Sequence, residues 1–441
     1  MHKKIALALG AAAAFALAAC SGVSNNTIPG VAQLAAPESN VSASCGAAAE
    51  GFARCFSLVR TDVGGGDPNG YHGVYRDPSI EPLSLTPDRR RTPTPSPSPH
   101  PTSTPGPTPT PSPGNPPGYG PADLQSAYSL PSATAGAGQT VAIVDAYDDK
   151  TAENDLGVYR AQFGLAPCTT ANGCFKKVNQ TGGSTPPTAN ASWGQEISLD
   201  IDMVSAICPN CHILLVESNS ASFADLGTAV NTAASLGANA ISNSYGGGES
   251  SAETTTYDKY YNHPGHAITV SSGDSGYGVQ YPAASQYVTA VGGTALSRAS
   301  TSRGWSETVW NGAGSGCSAY ETKPSWQTDT GCARRTVADV SAVANPNTGV
   351  AVYDSTPYSG QSGWMVFGGT SVASPVIASV YALAGNGSSV NYGSYPYGHL
   401  GSLFDVTSGS NGSCGSSYLC TGKTGYDGPT GNGTPNGAAA F

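Results

Sequence analysis

From about Tyr119, short apolar runs alternate with longer segments of helical pattern. Continuous apolar runs are typical of strands that are buried on both faces of a parallel sheet. The predicted strands are Val141–Val144, Ile213–Val216, Ala240–Ser244, Ala267–Val270 and Trp364–Phe367. The predicted helices are Ala152–Phe163, Trp193–Val204, Phe223–Leu236, Tyr257–Asn262 and Val376–Leu383. Because strands and helices alternate, we expect residues 119–441 to form an α/β domain with a mostly parallel central sheet, flanked by helices on both faces.

The chain begins with the pattern of a secretion signal. Residues 2–4 are His-Lys-Lys, and an apolar run follows as far as Leu17. Residues 17–20, Leu-Ala-Ala-Cys, resemble a bacterial lipobox, in which cleavage before the cysteine leaves its thiol to carry lipid. We therefore expect a signal peptide over residues 1–20, lipid on Cys20, and a bacterial protein that is secreted or anchored to the cell envelope. An ordinary signal peptide that is cut after Ala18 is the alternative.

Two segments separate this signal from the predicted domain. Residues 21–91 show little periodicity, so we expect a short, poorly structured N-terminal or pro region. Within it, Cys45–Val63 is expected to include one short helical or strand-like piece closed by a disulfide. Residues 92–118 are rich in Thr, Pro and Ser, a composition that cannot bury a core and stays extended. They predict a semi-rigid spacer, with recognition by a proline-binding partner as the alternative.

The amino-acid composition limits the classes of molecule that this chain can bind. Charged residues make up 11% of the chain and its net charge is −10, with no basic face. Nucleic-acid binding depends on clustered Lys and Arg, so this balance excludes nucleic acid as a partner. Beyond the N-terminus no apolar stretch is long enough to cross a membrane. We expect a monomer that touches the membrane through the lipid anchor alone.

The cysteines point to an oxidising compartment. There are eleven, and all except Cys20 fall into close pairs. The predicted disulfide bonds are Cys45–Cys55, Cys168–Cys174, Cys208–Cys211, Cys317–Cys332 and Cys414–Cys420. The Cys208–Cys211 spacing also fits a redox or zinc motif, but no second motif of this kind stands near it.

The chain offers a candidate nucleophile at the start of the last predicted helix. Gly368 and Gly369 lie between a strand-like run and that helix, which places Ser371 in the first helical turn. Free backbone N–H groups at a helix start can receive the oxyanion that forms after nucleophilic attack. A simple helix cap is the alternative. Residues 369–375, Gly-Thr-Ser-x-x-x-Pro, resemble the nucleophile signature of subtilisins and sedolisins, with Gly368 where those families usually carry serine.

Two carboxylates share one edge of a predicted helix. Ile197, Ile201 and Val204 form an apolar stripe that predicts one buried face, and Glu196 and Asp200 lie next to it, four residues apart. Adjacent like charges oppose joint ionisation and tend to share a proton. We expect Asp202 to point elsewhere and to be solvated. A solvent-facing acidic helix end is the alternative for the pair.

Glu196, Asp200 and Ser371 resemble, in type, spacing and order, the catalytic triad of the sedolisins, the serine-carboxyl peptidases. The resemblance covers roughly residues 121–436. It implies a subtilisin-like fold and a secreted endopeptidase that cleaves peptides or proteins at acid pH. It also implies that Asp274, in the Gly-Asp-Ser-Gly turn, belongs to the oxyanion hole, although a turn aspartate bonded to its own backbone is the alternative. The strand implied to line the substrate subsites contains Ser242, Asn243, Ser244, Tyr245 and Gly246.

The same resemblance implies one structural calcium ion near the C-terminus. Carboxylates of Asp405 and Asp427, with the backbone carbonyls of Val406, Lys423 and Gly425, would supply the hard oxygen ligands that calcium prefers. The family's usual glycine is absent at position 423. A backbone ligand tolerates that change.

Two rival functions remain at this point. A subtilisin-type Ser/His/Asp peptidase would use Asp145, but His212, His263, His266 and His399 all lack the expected sequence context. The second rival is a surface binding module on a catalytically dead scaffold of the same fold. Loss of all hydrolysis in Ser371→Ala would argue against that module.

Overall fold

This computed structural model describes residues 40–63, 115–415 and 417–441, and its elements follow the predicted alternation. The α-helices are α1 (Pro121–Ala127), α2 (Ala152–Gln162), α3 (Ala191–Ile207), α4 (Phe223–Ser235) and α5 (Thr370–Ala384). The strands are β1 (Val41–Ala43), β2 (Arg54–Cys55), β3 (Leu58–Arg60), β4 (Thr140–Ala146), β5 (Phe175–Asn179), β6 (His212–Ser218), β7 (Ala240–Asn243), β8 (Tyr245–Gly248), β9 (Ala267–Ser271), β10 (Gln280–Tyr281), β11 (Thr289–Arg298), β12 (Trp305–Val309), β13 (Gly316–Cys317), β14 (Thr336–Val337), β15 (Val340–Val343), β16 (Val350–Tyr358), β17 (Gln361–Gly368), β18 (Leu403–Phe404) and β19 (Thr434–Pro435). The predicted helical region around Tyr257–Asn262 forms short turns, Glu253–Tyr257 and Asp258–Tyr260.

The central sheet has the strand order β12-β11-β9-β7-β4-β6-β5, with β15 also paired to β11. The β11–β12 pair is antiparallel, and the other pairs of this sheet are parallel. Parallel strands need crossover connections, which the helices supply. The carboxyl ends of β4, β7 and β9 therefore meet at one edge of the sheet.

Strand β4 separates two apolar cores. Val141 and Ile143 pack in the core that contains α3 and α5, whereas Ala142 and Val144 pack in the core that contains α4. This alternation is the two-residue period of a strand whose two faces are both covered. The predicted fold class, α/β with a mostly parallel sheet and helices on both faces, is confirmed.

Helix α3 is buried around its whole circumference. Every residue from Trp193 to Ile207 is buried, because α5 and β4 cover one side and β16 covers the other. The prediction of a single buried face is wrong, and so is the prediction that Asp202 is solvated. Asp202 is buried, and its Oδ2 atom accepts a hydrogen bond of 3.0 Å from the backbone N–H of Tyr353 in β16. That cover comes from a strand about 150 residues further on, which local periodicity does not register.

Residues 40–63 depart from the expectation of a poorly structured N-terminal region. Strand β3 pairs with β1 and with β17, and β2 pairs with β8. The Cys45–Cys55 disulfide closes the loop between β1 and β2. The predicted signal peptide, Cys20, the remainder of the pro region and residues 92–114 of the spacer lie outside the described residues.

The five predicted disulfide bonds are all formed, including the bond between Cys208 and Cys211. Because both sulfur atoms are joined in this disulfide, the Cys208–Cys211 motif does not bind zinc in this structure. In the part of the chain that the structure describes, no three His, Cys, Asp or Glu side chains are grouped as a metal site. No helix among the described residues combines the length and apolarity that a membrane crossing requires.

Candidate active site

Ser371 is the second residue of α5, as the glycine pair predicts. Strand β17 ends at Gly368, and Gly369 then adopts φ +95°, a conformation that L side chains rarely take. A side chain at position 368 would collide with the backbone of Pro346, which accounts for the glycine at this position. Ser371 is fully buried, and its hydroxyl donates to the carbonyl oxygen of Ser244 over 3.3 Å.

Helix α3 packs against α5 and brings Glu196 and Asp200 to the same site. The Asn190 side chain caps the start of α3 by accepting from two backbone N–H groups, which fixes the helix end closest to Glu196. Glu196 Oε2 accepts a hydrogen bond of 2.8 Å from the backbone N–H of Ser57. Asp200 Oδ1 accepts one of 2.9 Å from the hydroxyl of Ser244. Both carboxyl groups are completely buried, so the alternative of a solvent-facing acidic helix end is wrong.

Burial raises the pKa of both carboxyl groups. It raises the pKa of Glu196 to about 8, although hydrogen bonding with the Ser371 hydroxyl and with Ser57 lowers that pKa. Burial also raises the pKa of Asp200, and the neighbouring charges of Asp145 and Glu196 raise it further. The two residues are therefore suited to holding a shared proton, since ionisation of one makes ionisation of the other more costly.

Asp145 is a third carboxyl group at this site, and the sequence pattern did not assign it to the Glu/Asp pair. It follows the buried run of β4, is itself fully buried, and has its pKa raised by burial and then by the charge of Glu196. Neither carboxyl oxygen hydrogen bonds to any described residue. Its position at the carboxyl end of a central parallel strand was the available signal.

Asp274 lies after β9, directly beside the start of α5. Its Oδ1 atom accepts hydrogen bonds of 2.8 Å from both the backbone N–H and the hydroxyl of Thr370, the residue before Ser371. These bonds are not those of a turn aspartate that satisfies its own backbone. Burial raises the pKa of Asp274 to about 7, against the lowering effects of Thr370 and then of Arg54. Below that pH its Oδ2 atom can carry a proton and donate it in a hydrogen bond.

The predicted subsite strand divides into two parts. Ser244 links two residues of the predicted triad, because its hydroxyl donates to Asp200 Oδ1 and also lies 3.3 Å from the Ser371 carbonyl oxygen. Tyr245 and Gly246 present their backbone to β2, with which they pair. The side chains of Ser242 and Asn243 turn inward instead, to Ser374 and to the carbonyl oxygen of Thr269.

The described histidines lie away from Ser371. His263 contacts the side chain of Asn231, His266 contacts the carbonyl oxygen of Ala238, and His399 stacks on Tyr395. His212 is exposed at the start of β6. In residues 40–63, 115–415 and 417–441, none of these rings forms a hydrogen bond with Ser371 or with Asp145, as a Ser/His/Asp triad requires.

The residues predicted to bind calcium lie in one loop region. Asp405 Oδ2 accepts from the backbone N–H of Gly425 over 2.8 Å, and Asp427 Oδ2 accepts from that of Lys423 over 3.0 Å. Burial raises the pKa of Asp427 to about 7, and the charge of Asp405 contributes to the rise. Two carboxylates held in this loop region supply part of the hard oxygen set that calcium takes. Val406 is buried next to Asp405.

Comparison with known proteins indicates the family of this chain. The model of the subtilase family matches residues 168–389, about half of the chain. Sedolisin of Pseudomonas sp. (strain 101) is 30% identical over 73% of this chain, and kumamolisin of Bacillus sp. (strain MN-32) is 29% identical over 73%. The chain spans 60% and 63% of the length of these two relatives.

A solved structure of Pseudomonas sedolisin, a serine-carboxyl proteinase complexed with two molecules of pseudo-iodotyrostatin, is also similar. It aligns with a TM-score of 0.62 and 29% identity, and the match covers 73% of this chain and 96% of that one. A match over 73% of the chain extends well beyond any single motif. The chain therefore belongs to the subtilase family, and its sequence and fold are similar to those of sedolisin, a serine-carboxyl proteinase.

Proposed function

We propose that this protein is a serine-carboxyl endopeptidase that hydrolyses peptide bonds of proteins at acid pH, with Ser371 as its nucleophile. The observation that carries the proposal is the convergence of Ser371, Glu196, Asp200 and Asp274 in one buried site at the carboxyl edge of the sheet. These residues come from separate segments of the chain. A fold that only needed stability would not bring the buried carboxyl groups of Glu196 and Asp200, and the carboxyl group of Asp274, to one serine.

In this mechanism Ser371 Oγ attacks the carbonyl carbon of the substrate. Glu196 accepts the serine proton and later gives it to the leaving amine. Asp200, positioned by the Ser244 hydroxyl, holds Glu196 in a proton-sharing pair. The charge on the carbonyl oxygen is stabilised by Asp274 in its protonated form and by the backbone N–H of Ser371.

The alkaline limit of the proposed activity follows from Asp274. Asp274 must be protonated to donate, and its pKa of about 7 sets the point above which that donor is lost. The Glu196 and Asp200 pair must retain one negative charge to accept the serine proton. Activity therefore requires a protonated Asp274 together with a pair that carries one negative charge, and hydrogen bonding with Ser371 and Ser57, which lowers the pKa of Glu196, favours that charge.

The direct test is hydrolysis of an unstructured protein by matched variants. Glu196→Gln and Ser371→Ala are expected to be folded and nearly inactive. Asp145→Asn, which removes a charge beside the pair while leaving the triad in place, is expected to change the pH dependence more than the maximal rate. Near-normal turnover in Ser371→Ala or Glu196→Gln contradicts the mechanism.

Calcium and localisation complete the proposal. Asp405 and Asp427, with the carbonyl groups of Val406, Lys423 and Gly425, would hold one structural calcium ion, which stabilises the folded state by binding to it alone.

The predicted signal and lipobox support a secreted or envelope-anchored lipoprotein, and the five disulfide bonds suit an oxidising compartment. Radiolabelled lipid on the wild type, and its loss in Cys20→Ala, would test the anchor.

A further inference from the structure

A segment of the chain itself lies in the proposed substrate cleft. Strand β2 pairs antiparallel with β8, with Arg54 opposite Gly246 and Cys55 opposite Tyr245. The next backbone N–H, that of Phe56, donates to the carbonyl oxygen of Ser244 over 3.3 Å. An extended peptide that adds a strand to the subsite edge of a peptidase makes this ladder of backbone bonds.

The peptide bond between Phe56 and Ser57 lies at the catalytic groups. On one side, the carbonyl oxygen of Phe56 packs against Gly369. A Cβ atom added at Gly369 would clash with this oxygen and would lie 2.6 Å from Asp274 Oδ2. The carbonyl oxygen and the proposed oxyanion donor thus face the same gap. On the other side, the Ser57 nitrogen donates to Glu196 Oε2 over 2.8 Å, where the leaving amine must receive its proton.

The Phe56 side chain fills the position next to this bond. It is 1% exposed, and a Cβ at Gly246 would lie 2.8 Å from two of its ring carbons, so the ring packs closely against Gly246 of the subsite strand. The guanidinium of Arg54 lies 5.5 Å from the ring centroid and also donates to the Ser275 hydroxyl. Because Gly246 has no side chain, this subsite has space for a planar aromatic side chain.

The chain is held on both sides of the bond. Upstream, the Cys45–Cys55 disulfide fixes the segment that leads to Phe56. Downstream, β3 pairs with β17, and Ser44 N donates to Ser57 O over 3.0 Å. These contacts hold the Phe56–Ser57 bond in one register, which is the positioning that hydrolysis needs.

We propose that the Phe56–Ser57 bond is the enzyme's own first substrate, and that the site consequently prefers an aromatic residue on the acyl side of the bond it cuts. This inference rests on the proposed peptidase function. Ser371 Oγ bonds to the Phe56 carbonyl carbon, the bond from that carbon to the Ser57 nitrogen breaks, and Glu196 passes the serine proton to that nitrogen. Water then hydrolyses the ester, its hydroxyl completing the Phe56 carboxyl group while its remaining proton returns to Ser371.

The test uses the full chain with its disulfides intact, purified above pH 8 and then shifted to acid pH. Intact mass and N-terminal sequencing should show a new end at Ser57, formed at a rate that does not depend on protein concentration. Ser371→Ala should stay uncut. Phe56→Ala should slow the cut at least about tenfold, as loss of a filled apolar pocket does. Phe52→Ala is the matched control, because that phenylalanine is 43% exposed on the same segment.

Hydrolysis of a denatured protein and of synthetic peptides separates this inference from the proposed function. Peptides with the sequence of residues 52–60, with serine for Cys55, should be cut after Phe56 and should lose at least about tenfold in kcat/KM when Phe56 is alanine. If the chain digests denatured protein in a Ser371-dependent manner but leaves the Phe56–Ser57 bond intact, or cuts it equally well in Phe56→Ala, the inference is overturned and the proposed function stands. If neither the denatured protein nor the peptides are hydrolysed at any pH, both this inference and the proposed function are contradicted.

Discussion

Asp274 Oδ1 accepts two hydrogen bonds from Thr370, one from its backbone and one from its hydroxyl, which leaves Oδ2 facing the gap beside Gly369. One oxygen is thus anchored to the residue before Ser371, while the other faces the place where we propose that the oxyanion forms. Burial raises the pKa of Asp274 to about 7, so Oδ2 carries a proton in acid. The arrangement turns an aspartate into a hydrogen-bond donor.

Asp274→Asn should move the alkaline limit of activity. Asparagine keeps an acceptor for Thr370 and offers a permanent N–H donor, so its rate should persist above pH 7, where the wild type declines. Asp274→Ala lacks the donor and should lose about 100-fold or more in kcat at every pH. Profiles of kcat against pH for the three proteins check this. An unchanged alkaline limit in Asp274→Asn would show that another group sets it.

Ser244→Ala should shift the acid limit instead. The Ser244 hydroxyl lowers the pKa of Asp200, so its removal raises that pKa and requires a higher pH before the carboxyl pair can ionise. We expect the acid limb to move upwards and kcat to fall about tenfold, consistent with losing a charge-assisted hydrogen bond. Ser242→Ala is the control, since its hydroxyl pairs with Ser374 and not with a carboxylate. Equal effects of the two variants would contradict the positioning role.

The folded protein should be more stable in acid than at neutral pH. Burial raises the pKa of Glu217 to about 8 and that of Asp354 to about 7. A carboxyl group with a raised pKa in the folded state contributes stability that is complete below its unfolded pKa and is lost as pH rises through its folded pKa. The free energy of unfolding should therefore decrease from about pH 4 to pH 8.

Asp354→Asn isolates one such group. Asparagine keeps the acceptor that bonds to the backbone N–H of Thr356 but cannot ionise. In a Ser371→Ala background, which prevents self-digestion, this variant should reduce the loss of stability between pH 5 and pH 8 by at least about 1 kcal/mol. Urea unfolding at the two pH values measures the difference. The same pH dependence with and without Asp354 would contradict the assignment.

Calcium should raise thermal stability through the loop that carries Asp405 and Asp427. Chelation in the Ser371→Ala background is expected to lower Tm by several degrees, since an ion that binds only the folded state stabilises it by mass action. Asp427→Asn should lower Tm and abolish the response to calcium, whereas Glu50→Gln, a change at an exposed site, should keep it. A calcium response that survives in Asp427→Asn would place the ion elsewhere.

Local sequence patterns were sufficient to predict the parts of the site that are formed by residues close together in the chain. A helix brings residues four apart to one edge, so Glu196 and Asp200 could be paired from the sequence alone. A glycine before a helix start likewise placed Ser371. Those relationships are fixed by backbone geometry within a few residues.

Contacts between distant segments were not visible in the same way. The strand that covers Asp202 begins at Val350, and Asp145 reaches the Glu/Asp pair from a different strand of the sheet. The position of Phe56 and Ser57 in the cleft depends on pairing with Tyr245 and Gly246, nearly 200 residues later. Pairing between segments this far apart produces no local periodicity of apolar residues, so it could not be predicted from the sequence pattern.

The most direct measurement is the rate of hydrolysis of a denatured protein, from pH 3 to pH 8, by the wild type, Ser371→Ala and Ser374→Ala after acid incubation. Ser374 is a buried serine on the same helix and serves as the matched control. We predict acid-limited activity in the wild type, its loss by at least about 1,000-fold in Ser371→Ala, and its retention in Ser374→Ala. Activity that survives in Ser371→Ala, or that rises through pH 7, would contradict the proposed mechanism.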